Sequence, residues 1–204
     1  MIKHLFRFAI LVLFVAGFNS CANKQDEPNL TQDLSQDIQQ KIANLGFNPE
    51  NAFAADGGYI VEGDIFLTDA ELNSGWDGLT LRAGDAEQYR TTNLVTGTPR
   101  TIVVTTSGSN ITTALSTAIN DAIARYNAEN LSLTFVRGGS SGGGNINIRV
   151  VNTNQYIATA GFPSGGNPYG EIKYAKTYNN YSNGFMTTVI AHEMGHCIGF
   201  RHTD

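Results

Sequence analysis

The end of the sequence, IAHEMGHCIGFRHTD, contains side chains that could bind and use a metal ion. His192 and His196 are four residues apart, so on a helix both imidazoles project from one face and can bind the same zinc ion. Glu193 is rotated to one side of them, where a carboxylate can accept a proton instead of binding the metal. Any single histidine could be a hydrogen-bonded core residue, but three of the four histidines in the chain belong to this stretch.

The third of these histidines follows a glycine that can end the helix. Gly199 can adopt a positive φ without a steric penalty, so the chain can bend back there and present His202 as a third nitrogen. Three protein ligands leave the fourth zinc position open for water, as in catalytic zinc sites. Zinc lowers the pKa of such a water from about 15.7 towards about 7. Glu193 would accept the proton and return it to the leaving nitrogen.

The composition limits the classes of partner. The chain has 204 residues, of which 41% are hydrophobic and 15% charged, and its net charge is −5. An acidic protein without a basic run is not expected to bind nucleic acid. The length suits one good-sized domain, or a small domain with an N-terminal extension.

The first residues are typical of an exported protein. Residues 1–20 combine Lys3 and Arg7 with an apolar run too short to cross a bilayer, which predicts a signal peptide. Cys21 lies where a bacterial lipoprotein carries its acylated cysteine, and the polar residues 21–29 suit a tether to a membrane. We expect export and a lipid anchor on Cys21, at the outer membrane or the cell surface. The alternative is an ordinary signal peptide and secretion.

Residues 30–99 are expected to contain a helix and an extended segment. Apolar residues recur at four-residue spacing from Leu30 to Ile42, and Gly46 follows, which predicts a short amphipathic helix. GGYIVEGDIFLT is then typical of a strand, and NSGWDG of a turn.

Residues 100–204 alternate strands and helices. RTIVVTTSG is a β-branched strand, and Ser109 or Asn110 can cap the amphipathic helix ITTALSTAINDAIARYNAEN. LSLTFV and INIRVV are further strands, and the mixed pattern of GEIKYAKTY favours a sheet edge. This order predicts an α/β (α+β) fold, a mixed sheet with helices packed on it.

The last helix is expected to begin near Phe185, with Ser182 or Asn183 as its cap. It is apolar nearly all round, so we expect it to be buried. Cys197 points away from His192 on this helix, which favours a core thiol over a metal ligand.

HEMGHCIGFRH resembles the zinc signature of the metzincin metallopeptidases, and AHEMGHCIGFRHTD is similar to that of the dual-action HEIGH type. The resemblance extends over VEGDIFLT, EQYRTTNLV and the strand–helix–strand run from Arg100. It implies His192, His196 and His202 as ligands of Zn2+, Glu193 as the base, and a twisted sheet with a long helix and a C-terminal active-site helix. It also implies a protein or peptide substrate that pairs with the edge strand near GEIKYAKTY.

A second resemblance concerns VEGDI, which is similar to the FxGD element of astacin pro-peptides. Val61 stands in place of Phe, whereas Gly63 and Asp64 keep their relative places. The resemblance implies that residues 30–99 are a pro-like segment in which Asp64 occupies the fourth zinc position and keeps the enzyme latent. The alternative is that Asp64 is a surface turn residue, as most aspartates are.

The chain departs from the metzincin pattern after the third histidine. Metzincins continue there into a lower subdomain with a methionine-bearing turn, whereas Met1, Met186 and Met194 all precede His202. We therefore expect residues 100–204 to be an incomplete catalytic domain of a zinc metalloendopeptidase that acts on extracytoplasmic proteins. The alternatives are a catalytically inactive zinc-binding lipoprotein derived from such a peptidase, and a zinc hydrolase with another substrate, such as an amidase.

Overall fold

The computed structural model of the protein describes residues 34–74, 81–83 and 88–202. The predicted signal peptide, the tether and Cys21 lie outside these residues. Among the helices of the described ranges, none has the length and apolar character needed to cross a membrane.

The described ranges contain four helices, a short 3-10 turn and ten strands. The helices are α1 (Gln36–Asn44), α2 (Asp69–Asn73), α3 (Thr113–Ala128) and α4 (Asn183–Ile198), and the 3-10 turn spans Lys176–Tyr178. The strands are β1 (Phe53–Ala55), β2 (Gly58–Val61), β3 (Ile65–Thr68), β4 (Leu81–Ala83), β5 (Gln88–Arg90), β6 (Arg100–Ser107), β7 (Leu133–Arg137), β8 (Ile146–Val151), β9 (Ala158–Ala160) and β10 (Glu171–Ala175).

Eight strands form one mixed sheet in the order β1-β2-β3-β9-β10-β8-β6-β7. The strands β10, β8, β6 and β7 are parallel to one another, whereas β9 runs antiparallel to β10. The antiparallel meander β1–β3 joins this sheet through one parallel bridge between Ile65 and Ala160. The sheet confirms the predicted mixed α/β fold.

The main core lies between the sheet and helices α3 and α4. Leu115, Ile119 and Ile123 of α3 are buried, which confirms the predicted apolar stripe of that helix. They pack in one cluster with Ile102 and Ile172 from the sheet. Burial of each such side chain contributes about 1.5–3 kcal/mol. Helix α4 is buried over most of its circumference, as predicted.

A second hydrophobic cluster attaches the N-terminal segment to the sheet. Ile42 of α1, Phe47 after it and Val61 of β2 are buried together with Phe162, which follows β9. Phe47 and Phe162 stack with ring centroids 5.9 Å apart. The division of the chain at residue 99 stays a prediction, but the described residues before it share a core with residues after it.

The prediction of an edge strand at GEIKYAKTY is wrong. Strand β10 lies in the interior of the sheet, between β8 and β9. Its mixed pattern arises because Ile172 and Tyr174 are buried beneath the helices, whereas Glu171 and Lys173 are half-exposed on the other face. Strand β9 lines the pocket beside helix α4, and β3 is the neighbour of β9 on the side away from β10.

Three smaller differences concern element boundaries. The predicted single strand GGYIVEGDIFLT is two antiparallel strands, β2 and β3, joined by the turn 62–64. Helix α3 is capped by Thr112, whose Oγ1 accepts a hydrogen bond from the Leu115 N–H, and not by Ser109 or Asn110. Helix α1 begins at Gln36, later than predicted, after the capping side chain of Ser35.

Candidate metal centre

Helix α4 carries the first two histidines of the pattern. Its N-terminus is capped by Ser182, whose Oγ accepts a hydrogen bond from the Phe185 N–H at 3.3 Å. His192 and His196 lie one turn apart on the same face, with their Nε2 atoms 3.0 Å from each other. The His196 side chain is 2% exposed and that of His192 is 44% exposed. His196 therefore lies in the core, and His192 lies at the surface.

The helix ends at Gly199, which has a φ of 113°. A side chain there would be strained by this φ and would also collide, because a Cβ atom would lie 2.7 Å from Leu94 Cδ2 and 3.1 Å from Asn93 O. The Thr91 N–H donates to the Gly199 carbonyl oxygen at 2.9 Å and fixes the direction in which the chain leaves helix α4. The chain then returns to the helix, and His202 Nε2 lies 3.2 Å from His192 Nε2.

Asp64 reaches the same point from the turn between β2 and β3. Its Oδ2 lies 3.0 Å from His192 Nε2, and its Oδ1 lies 3.0 Å from His202 Nε2 and 3.8 Å from His196 Nε2. The Ala160 N–H and the Thr159 hydroxyl both donate to the Asp64 carbonyl oxygen, which attaches the turn to β9. The Asp64 side chain is 25% exposed and therefore is not an ordinary surface aspartate.

The four side chains form a donor set that fits zinc. One ligand atom from each of Asp64, His192, His196 and His202 lies within 4.8 Å of all the others. Tetrahedral zinc ligands at about 2.0–2.1 Å from the metal lie about 3.3 Å apart, close to the separations observed here. Oδ1 of Asp64 is buried and accepts no well-aligned hydrogen bond from the described residues, so one of its lone pairs is available to a metal.

The orientation of His196 is fixed by a hydrogen bond on the far side of its ring. Nδ1 lies 2.8 Å from the Phe200 carbonyl oxygen, which can only accept, so Nδ1 carries the proton. The lone pair of the neutral ring is then on Nε2, the atom that faces the other ligands. Burial lowers the pKa of His196 to about 4, which favours this neutral form.

The charge of Asp64 is stabilised by the histidines. Burial alone would raise the pKa of its carboxyl group, but hydrogen bonds to His192 and His202 and the charges of the nearby imidazoles hold the pKa well below its usual value. The carboxylates of Asp64 and Glu62 in turn raise the pKa of His202 to about 10. The ion pair between Asp64 and His202 thus favours the contact between their side chains.

Glu193 is adjacent to the ligand cluster. It is 2% exposed, and its Oε2 atom is buried with no hydrogen-bond partner among the described residues. Burial, reinforced by the charge of Asp64, raises the pKa of the Glu193 carboxyl group well above its ordinary value. A carboxyl group with a raised pKa is suited to accept and donate a proton near neutral pH.

The sequence of this site matches a known family. The sequence profile described as dual-action HEIGH metallo-peptidase matches residues 59–204.

The chain belongs to this family.

Membership in the HEIGH metallo-peptidase family implies zinc as the metal, and the three imidazoles and one carboxylate described above suit that ion. No curated protein matches the sequence. The solved structures that are similar to it include two of myroilysin. One, the "Structure of myroilysin", is 17% identical, with a TM-score of 0.40, over 52% of this chain and 50% of that chain. The other, the "Crystal structure of myroilysin", is 18% identical, with a TM-score of 0.40, over 54% and 48%. The chain thus spans about half the length of each.

A cleft pocket of about 410 Å³ opens beside His192 and Glu193 of the HEIGH motif. Its walls are mainly apolar and are formed by Ile157 and Ala158 at β9 and by Val189 on α4. Such a pocket suits an apolar side chain of a ligand held near the metal position.

Sequence reasoning missed several residues that support this HEIGH site. Glu62, Phe47 and Phe162 contact the ligands or their neighbours but are far from the zinc motif in sequence. Glu62 stands at the variable position of the FxGD-like element VEGDI, and Phe47 and Phe162 belong to no motif. The ring of Phe162 meets that of His196 edge-on, with centroids 5.7 Å apart. Cys197 is fully buried in the main core, and burial raises the pKa of its thiol.

Proposed function

We propose that this chain is a zinc-dependent metalloendopeptidase in which Glu193 is the general base. The convergence of three Nε2 atoms beside a buried, unpaired carboxyl oxygen of Glu193 carries the proposal. His192, His196 and His202 would hold the metal. Zinc would supply Lewis acidity that polarises the peptide carbonyl and lowers the pKa of water.

The residues of the chain have separate tasks in this reaction. Glu193 accepts a proton from the attacking water and later donates it to the leaving amine nitrogen. Burial raises the pKa of this carboxyl group, which favours its taking up the proton before passing it to the leaving nitrogen. His196 keeps its Nε2 lone pair directed at the cluster through the Nδ1–H bond to Phe200.

The pocket beside Glu193 favours substrates with an apolar residue next to the cleaved bond. Ile157, Ala158 and Val189 offer an apolar wall for a substrate side chain, whereas the ionisable lining residues Asp64, His192 and Glu193 belong to the metal site. Burial of one such side chain is worth about 1.5–3 kcal/mol, enough to dominate the choice of cleavage site.

The form described here is proposed to be latent. The Asp64 carboxylate is already at ligand distance from the three histidines, so it would compete with water for the fourth zinc position. In addition, β3 lies beside β9, where an extended substrate could otherwise form strand pairing. Activation would require Asp64 to leave the cluster.

We also propose that the protein acts outside the cytoplasm and is anchored through Cys21. The signal-like residues 1–20 and the position of Cys21 support this part of the proposal. Labelling of cells with radioactive palmitate tests it. The protein should take up label, and a Cys21→Ala variant should not; equal labelling of both would exclude an anchor at this cysteine.

The peptidase proposal is tested by cleavage of unfolded casein by zinc-loaded protein, with and without a chelator. The comparison is made in the natural chain and in an Asp64→Ala background, so that latency does not mask activity. Chelation should abolish cleavage, and Glu193→Gln should lower it by about 10²–10⁴-fold without loss of zinc. Glu129→Gln, the same change at an exposed glutamate, is the control.

Three outcomes decide between the functions. Cleavage that survives the chelator or Glu193→Gln would contradict the proposed mechanism. Full zinc loading without cleavage in either background would favour a catalytically inactive zinc-binding protein. Failure to bind zinc would contradict both the peptidase proposal and the alternative of an inactive zinc-binding protein.

A further inference from the structure

The turn that carries Asp64 also carries a second partly buried carboxylate, Glu62. Its side chain is 18% exposed, and its Oε2 atom lies 3.6 Å from Nδ1 of His202. Nδ1 is the ring nitrogen opposite Nε2, the atom that faces the other ligands. Glu62 is therefore placed behind the third histidine, on the side away from the metal position.

Glu62 is held in this place by several contacts. Its Oε1 accepts hydrogen bonds from the Asn48 backbone N–H at 2.9 Å and from Nη2 of Arg201 at 3.3 Å. The same Nη2 atom donates to the Gly46 carbonyl oxygen at 2.9 Å, and the guanidinium lies 4.0 Å from the centre of the Phe47 ring. These contacts bind the N-terminal segment to the residue next to His202.

The backbone of Glu62 is unusual for a residue with a side chain. Its φ is 52°, in the left-handed region that few residues other than glycine adopt, and Gly63 follows with a φ of 93°. The turn directs Glu62 and Asp64 towards the same histidine from opposite sides, since Asp64 Oδ1 lies 3.0 Å from His202 Nε2. A strained conformation at a functional cluster is an indication that the side chain has a role there.

We infer that Glu62 is a positioning residue of the zinc site: it receives the Nδ1–H of His202 and so holds the Nε2 lone pair of that ring towards His192 and His196. Zinc-binding histidines generally donate their second ring N–H to a carboxylate or a carbonyl, and loss of that partner typically costs 10–100-fold in metal affinity. His196 has the Phe200 carbonyl oxygen for this purpose. Glu62 is the corresponding acceptor for His202. The inference rests on the zinc site of the proposed function.

The inference gives the N-terminal segment a second task. Asp64 would keep the site latent, whereas Glu62, two residues earlier on the same turn, would help to build it. Displacement of Asp64 with Glu62 left in place would give an active site, and removal of the whole turn would weaken zinc binding.

The test compares the zinc affinity of the full chain with that of Glu62→Gln, measured by competition with a chelator. We expect the affinity of Glu62→Gln to fall by about 10–100-fold and the visible spectrum of its cobalt-substituted form to change. The control is Glu50→Gln, the same substitution at an exposed position of the same segment, which should bind zinc within about twofold of the natural chain. A Glu62→Gln variant that melts at a lower temperature but binds zinc like the control would overturn the inference.

A second measurement does not depend on a variant that folds. Proton NMR of the zinc-loaded natural chain should show two exchange-protected histidine Nδ1–H resonances, one from His196 and one from His202. A natural chain that shows the His196 resonance without that of His202 would overturn the inference.

These results separate the inference from the proposed function. Tight zinc binding without proteolysis in both the natural chain and the Asp64→Ala background would refute the peptidase proposal alone. Unchanged affinity in Glu62→Gln would refute the positioning role alone, and a natural chain that binds no zinc would refute both.

Discussion

Oδ2 of Asp64 lies 3.0 Å from Nε2 of His192, although the two residues are 128 positions apart in the chain. The contact joins a turn of the N-terminal segment to the helix that carries the HEIGH motif. It places a carboxylate where the fourth ligand of a three-histidine zinc site would lie. In the proposed latent form, this contact closes the cleft to a substrate.

Replacement of Asp64 by alanine should increase peptidase activity. The carboxylate competes for the fourth zinc position, and a charged contact of this kind is worth about 1.5–3 kcal/mol, so we expect a rise of at least about tenfold in casein cleavage. Asp56→Ala, at an exposed position of the same segment, should leave the rate unchanged. If cleavage and the binding of a zinc-directed inhibitor are equal in Asp64→Ala and the natural chain, Asp64 does not keep the enzyme latent.

Substitution of Gly199 should destabilise the protein, and substitution of Gly184 should not. Gly199→Ala would force a Cβ into a left-handed residue already close to Leu94, with a cost of more than about 1 kcal/mol in the free energy of unfolding. Gly184 lies in the first turn of α4 with open space around it, so Gly184→Ala should add about 0.4–1 kcal/mol. Urea denaturation measures both. Equal effects would show that Gly199 does not need its positive φ.

Loss of the Tyr126 hydroxyl should reduce stability in a pH-dependent way. This hydroxyl donates to the Ala191 carbonyl oxygen at 2.9 Å and links α3 to α4. Tyr126→Phe should cost about 1 kcal/mol in the free energy of unfolding at neutral pH.

Burial of the Tyr126 phenol determines how its contribution to the free energy of unfolding changes with pH. Burial raises the pKa of Tyr126 above its ordinary value of 10.0, so its contribution is complete below pH 10 and decreases as the pH rises further. The difference between the natural chain and Tyr126→Phe should therefore shrink above pH 10. A difference that is constant to pH 11 in denaturant titrations would contradict this linkage.

A charge in the apolar pocket should lower cleavage without affecting the metal. Ile157 is 38% exposed and lines the pocket, so Ile157→Lys should fold normally. We expect kcat/KM for peptides with an apolar residue at the cleaved bond to fall by about tenfold, the equivalent of about 1.4 kcal/mol of lost burial. Leu131→Lys places the same charge at a residue that is 39% exposed and outside the lining of this pocket. The same loss in both variants would exclude a role of the pocket in specificity.

Local sequence patterns predicted the parts of the fold that depend on neighbouring residues. The apolar periodicity of α3 and the four-residue spacing of His192 and His196 follow directly from helix geometry. The cap of α3 could not be fixed in this way, because Ser109, Asn110 and Thr112 are all good capping residues within one turn. Asn110 instead adopts a φ of 80°, and Thr112 makes the cap.

The remaining differences depend on residues that are distant in sequence. Ala158–Ala160 is short and has no alternating pattern that would indicate strand β9. The mixed pattern of GEIKYAKTY indicates a sheet edge, but β10 lies between β8 and β9. Glu62 and Phe162 reach the site only through the pairing of β3 with β9 and through the second hydrophobic cluster. Such contacts leave no signal in a single sequence.

The most direct test is anomalous diffraction at the zinc absorption edge from crystals grown with zinc. The account predicts one strong peak within about 2.0–2.2 Å of Nε2 of His192, His196 and His202 and of a carboxylate oxygen of Asp64. A zinc ion bound elsewhere, or a His202 ring turned away from the other two histidines in the zinc-loaded protein, would contradict it.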